Sequence, residues 1–144
     1  MASQKLKWRK QLRHYSHKKT KAMKANELRI GNWVSNGEFE FQITSKDIYH
    51  RDVRVYGSFI KGIPITPEWL ERLGFNWSIY HQSFHYGDMA MDEFYDVNEC
   101  YPKGYQLSTF KKRNLIGKSF LYVHQLQNLY FALTGEELEY KPNI

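Results

Sequence analysis

The sequence predicts an α+β domain: an antiparallel β-meander or small partly open barrel with two short helices packed on it, preceded by a basic N-terminal arm. Three observations predict it. Short runs with alternating apolar residues recur between residues 27 and 122, two stretches carry helical spacing with start and stop signals, and 17% of the 144 residues are aromatic. Alternation of period two marks strands, and an aromatic content this high suits ring-packed β structure. With 42% hydrophobic residues, a chain of this length can bury one core without staples. Residues 24–144 are read as a single domain and residues 1–23 as the arm.

The strands come first. Residues 27–65 read as three successive antiparallel strands. In LRIGNWV, Leu28, Ile30 and Val34 are apolar, and Gly31-Asn32 interrupts them like a bulge. Asn36-Gly37 signals a type I′ hairpin turn. EFEFQI then places Phe39, Phe41 and Ile43 on one face, and DIYHRDVRVY brings Val53 and Val55 into register before Gly57-Ser58. The stretch PITPEWLERLGF is a short helix: Thr66 as N-cap, Pro67 and Glu68 in the first turn, Trp69, Leu70 and Leu73 as its apolar stripe. Gly74 takes the left-handed position after it, and Phe75 packs back. WSIYHQSFHY, EFYDV, YQLSTF and SFLYV add two to four strands. A last helix over residues 123–133 follows from the spacing of Val123, Leu126, Leu129, Tyr130 and Leu133, with Gly135 as its stop.

Charge is unevenly distributed. Residues 1–24 hold nine of the 21 lysines and arginines and none of the 15 acids, so residues 25–144 carry twelve basic and fifteen acidic side chains. A basic arm on a mildly acidic body suggests a tail with a partner of its own. Lys5, Lys7, Arg9, Lys10, Arg13, Lys18, Lys19 and Lys21 could neutralise the phosphates of RNA or DNA, while Trp8 stacks on exposed bases. A basic extension with weak nonspecific affinity is the other reading. The single cysteine, Cys100, allows no intramolecular disulfide and fits a reducing, cytoplasmic setting. No apolar run approaches the length of a membrane span, and no membrane partner is expected.

Two segments, KANELRIGNWV at residues 24–34 and YVHQLQNLYFALTGEELEY at residues 122–140, resemble the opening and closing blocks of a family of small uncharacterised proteins. These occur in Bacteroides-type bacteria, their phages and mobile elements, and IPITPEWLERLGF at residues 63–75 fits the same pattern. The resemblance implies a fold and a genomic setting, with no activity, cofactor or site residue attached. Because such proteins begin near a Met-Lys-x-Asn-Glu-Leu sequence, it also implies Met23 as a plausible native start.

Other candidates are weaker. His124, Gln125, Gln127 and Asn128, with Phe131, form what reads as the exposed face of the last helix. Amides at that density suit a base edge, a peptide backbone or a host protein. A helix docked on a sheet can equally spend them on backbone groups, and that reading is favoured. His81 and His85 have Asp88, Asp92 and Glu93 downstream, but in a continuous strand residues four apart sit roughly 13 Å from one another, too far to share a metal. No metal and no cofactor is therefore expected. Trp33, Trp69, Trp77 and Phe75 read as core, and the run KKR at 111–113 as a solvated loop. No phosphate loop or nucleophile elbow occurs, so the chain is read as non-enzymatic. Two functions remain: an accessory protein binding nucleic acid through the arm, or a module binding a host protein or small ligand through its folded body.

Overall fold

The computed structural model describes Met23 and residues 25–49, 60–95, 102–109, 112 and 114–142. The arm residues expected to touch nucleic acid, Lys5 to Lys21, lie outside this set, as do Val53, Val55 and Cys100. The α+β class holds: two antiparallel sheets of three and five strands accompany three α-helices among the described residues, and neither sheet closes into a barrel. The chain divides into two compact units, residues 1–64 with 122–136, and residues 65–121 with 137–144.

The first unit contains a 3-10 turn at Ala25–Glu27, strands β1 (Trp33–Ser35), β2 (Glu40–Gln42) and β3 (Lys61–Gly62), helix α1 (Ser45–Tyr49) and the last helix. Its sheet order is β2-β1-β3, which departs from the expected meander of three consecutive strands. The first three residues of the third run, 47–49, are helical, because Thr44 and Asp47 close a capping arrangement; its remainder lies outside the described residues. The Asp47 carboxylate accepts from both the Thr44 N–H and hydroxyl, at 2.7 and 2.6 Å, and this starts α1. Gly31-Asn32 is a bulge. The Gly31 N–H donates to the Ile43 carbonyl and the Ile43 N–H to the Asn32 carbonyl, two residues facing one, with Gly31 at φ 89°.

The hairpin turn differs from type I′. Residues 36–39 form the connection, and only Gly37 has positive φ. The Asn36 side chain accompanies the difference: its oxygen accepts from the N–H groups of Glu38 and Phe39 at 2.9 Å each, while the Asn36 N–H donates to the Phe39 carbonyl. Met23, Val34, Ile43 and Ile60 form the buried cluster, with Leu28 and Phe41 against it. At Gly62 an added Cβ would lie 2.5 Å from Cγ of Tyr122, so only glycine admits that ring. An isolated bridge pairs Pro64 with Tyr122, and the Val123 N–H donates to the Ile63 carbonyl.

The second unit holds α2 (Pro67–Arg72) and strands β4 (Asn76–Ser78), β5 (Ser83–Tyr86), β6 (Met89–Tyr95), β7 (Pro102–Thr109) and β8 (Leu115–Phe120). This sheet is the meander, in order β4-β5-β6-β7-β8. The row Trp77, Phe84, Met91, Leu107 and Ile116 crosses one face in register. The Thr66 hydroxyl accepts from the Trp69 N–H. At the other end of α2 the N–H groups of Phe75 and Gly74 return to the carbonyls of Leu70 and Glu71, a Schellman closure. Residues 137–142 return to α2: Leu138 is buried, the Tyr140 ring lies 5.6 Å from Trp69, and the Lys141 N–H donates to the Arg72 carbonyl.

Two substitutions test these features. Thr66→Ala is expected to cost about 1 kcal/mol and Thr66→Ser much less, because serine keeps the capping oxygen that alanine lacks. Gly62→Ala is expected to cost about 1–3 kcal/mol through forced displacement of Tyr122. Urea unfolding midpoints measure both.

Candidate functional site: the polar face of the last helix

Helix α3 spans Val123–Thr134 and ends on Gly135 at φ 73°. Its apolar side, Val123, Leu126 and Tyr130, is buried. His124 and Gln127 are also buried, at 1% and 2% exposure, so the face expected to be exposed is largely interior. The cause is the bulge just before β1. A kinked strand start leaves backbone groups that the sheet ladder does not reach, and buried groups of that kind need partners.

Gln127 supplies two of them. Its oxygen accepts from the Trp33 N–H at 2.9 Å, and its nitrogen donates to the Gly31 carbonyl at 3.2 Å. Asn128 gathers mainly side-chain partners one position on. Its oxygen accepts from Arg29 Nη1 at 3.0 Å and Asn32 Nδ2 at 2.9 Å, while its nitrogen donates to the Glu27 carbonyl. The Asn32 side chain closes the loop by accepting the Arg29 N–H at 2.6 Å. Gln125 acts at the helix start, where its oxygen accepts the Tyr122 N–H. The Arg29 guanidinium lies 4.0 Å from the centre of the Phe131 ring, a cation–π distance.

His124 stands apart. Neither ring nitrogen has a hydrogen-bond partner among the described residues, the Tyr122 ring stacks on it at 5.9 Å, and Glu27 Oε2 lies 4.0 Å from Nε2. Burial pushes its pKa down to about 4 against the opposing pull of Glu27, so it is neutral at pH 7. In the second unit, Glu93 sits opposite Tyr105 in the β6–β7 ladder, and burial raises its carboxyl to about 7. Glu93 lies half-buried in a strand of otherwise ordinary pattern, and no sequence signal marks its shift.

The histidine pair is also rearranged. Residues 79–82 form a turn between β4 and β5 instead of continuing a strand, and the rings of His81 and His85 are 5.4 Å apart. Among the described residues, no group of three or more His, Cys, Asp or Glu is placed to hold a metal ion. No described helix is long and apolar enough to cross a membrane. Of the KKR run only Lys112 is described, and it is exposed. No family model, curated protein or solved structure matches this chain.

The polar face therefore does structural chemistry: it ties a helix to a bulged strand. Gln127→Ala removes the side-chain acceptor of the Trp33 N–H and one of two donors to the Gly31 carbonyl, which Gln42 Nε2 also reaches at 3.2 Å, and an expected loss of about 1–3 kcal/mol is read from urea denaturation.

His124 and Glu93 make opposite pH predictions. An unfolded imidazole takes a proton near its ordinary 6.5, whereas folded His124 holds out to about 4. Its contribution is thus complete above about 6.5 and is lost as the pH falls to about 4. Folded Glu93 keeps its proton up to about 7 against an ordinary 4.5, so its contribution is present below 4.5 and lost as the pH rises to about 7. His124→Leu is expected to remove an acid-side loss on the order of 3 kcal/mol. Glu93→Gln removes the loss on the rising side. Denaturation at several pH values between 4 and 8 measures each slope.

Proposed function

We infer that this chain is a non-enzymatic binding protein, of the accessory kind carried by phages and mobile elements, that binds RNA or DNA through its basic N-terminal arm in the cytoplasm. One observation carries this reading: nine cations and no acid in residues 1–24, against a net −3 over residues 25–144. Lys5, Lys7, Arg9, Lys10, Arg13, Lys18, Lys19 and Lys21 neutralise phosphates and release counterions, and Trp8 stacks on bases. Sequence preference is weak, because a run of cations reads backbone charge and not base edges. No cofactor enters this reading.

A second reading, capture of a host protein or small ligand by the folded body, is favoured by one feature. Ile79 and Tyr80 project from the β4–β5 turn with 81% and 96% of their surface exposed, and large apolar side chains held in water mark contact surfaces. His124 and Gln127 do not serve this reading, since both are committed to the interior.

Affinity for single-stranded RNA and for duplex DNA, measured between 50 and 200 mM salt, separates the two. Replacing Lys5, Lys7, Arg9, Lys10 and Arg13 together by Gln is expected to flatten the logarithmic salt slope on single strands by about 3–4. Binding that ignores salt and survives the five replacements would sink the arm reading in favour of the body.

A further inference from the structure

The geometry points to a divalent transition-metal site at the turn between β4 and β5, with His81 and His85 as its two protein ligands and water completing the coordination. Two imidazoles bound tetrahedrally at the usual metal–nitrogen distance of about 2.0–2.1 Å place their ring centres about 5 Å apart. The rings of His81 and His85 are 5.4 Å apart and inclined at 42°. That proximity comes from the turn, not from a helix, and so escapes any search for helical histidine spacing.

Two further observations bear on the site. The first is strain. Gln82, between the two histidines, has φ 50°, the one positive φ of a non-glycine residue among the described residues. A left-handed backbone costs such a residue on the order of 1 kcal/mol or more, and outliers of this kind gather where a side chain must be aimed. The second is orientation. Ser83 Oγ lies 2.7 Å from Nε2 of His85. With that nitrogen donating its hydrogen to the hydroxyl, the ring's lone pair resides on Nδ1, so the hydroxyl orients the ring and sets its tautomer as a second-sphere acceptor does.

Residues 76–87 contain no lysine or arginine, so no cation of the turn itself repels a metal. Imidazole nitrogen selects zinc, nickel or copper over magnesium or calcium. His81 is exposed, which leaves the site open to solvent and suits a metal that takes a further ligand from a partner.

The test is calorimetric titration of the full chain with zinc chloride and, separately, nickel chloride at neutral pH. Either His81→Ala or His85→Ala is expected to weaken one site at least tenfold, while His14→Ala with His17→Ala leaves that site unchanged. Ser83→Ala is expected to weaken it less than either ligand. In the unsubstituted chain, nickel is expected to broaden the amide resonances of residues 79–85 selectively, a readout that needs no variant to fold. The assignment fails if no saturation occurs below about 1 mM metal. It fails equally if either single substitution leaves affinity within twofold, or if the broadening falls elsewhere.

Discussion

One carboxamide holds the first unit in register. Gln127 presents to β1 the acceptor and donor that a neighbouring strand would present, bonding the Trp33 N–H and the Gly31 carbonyl on either side of Asn32. The bulge makes this necessary, because at Gly31-Asn32 two residues face Ile43 alone. Rotating α3 by one residue, or sliding it by a turn, would take this acceptor from the Trp33 N–H and leave the Gly31 carbonyl to Gln42 alone. Apolar packing of Val123, Leu126 and Tyr130 supplies the attraction but tolerates small rotations. The amides do not. Burial gives the helix its affinity for the sheet, and hydrogen bonding fixes its angle.

The same division explains what the sequence shows and hides. Helix α2 is legible almost residue by residue, since Thr66, Pro67, Gly74 and Phe75 each act through local geometry. Helix α3 is legible in extent. Its facing is not, because Leu133 is 46% exposed and Gln127 is buried. Hydropathy periodicity assigns amides to water, and only the position of the bulge reveals that the interior requires them. α1 was hidden in an apparently alternating run because its start depends on the Thr44–Asp47 pair. The turn at 79–82 contains no glycine, proline or asparagine, and its folding back is set by β4–β5 pairing. Close approach of His81 and His85 is therefore invisible in sequence.

Electrostatics confines the functional reading in a similar way. The body's slight negative charge gives a polyanion no general reason to approach it, and screening cuts interactions beyond about 8–10 Å at physiological salt. Contacts with nucleic acid would be limited to what the arm itself reaches, so the length and charge of that arm would set the footprint. The amide-rich helix, the natural place to look for base recognition, has its hydrogen-bonding capacity largely used internally. The β4–β5 turn, by contrast, holds exposed apolar and imidazole side chains close together.

The division of the chain has a consequence for its synthesis. The first unit takes in residues 122–136, and the second takes in residues 137–144. A ribosome releases β1 and β2 long before Gln127 exists, with Trp33 and its partner 94 positions apart in sequence. Until α3 emerges, the bulged strand must bond to water, and Val34 and Ile43 lack their full cover. The second unit waits too, since Leu138 and Tyr140 arrive after all its strands. Neither unit can be completed vectorially from the N-terminus. Long-range closure of this kind slows folding and prolongs exposure of apolar surface, so loss of only the last two dozen residues would leave both units open at once.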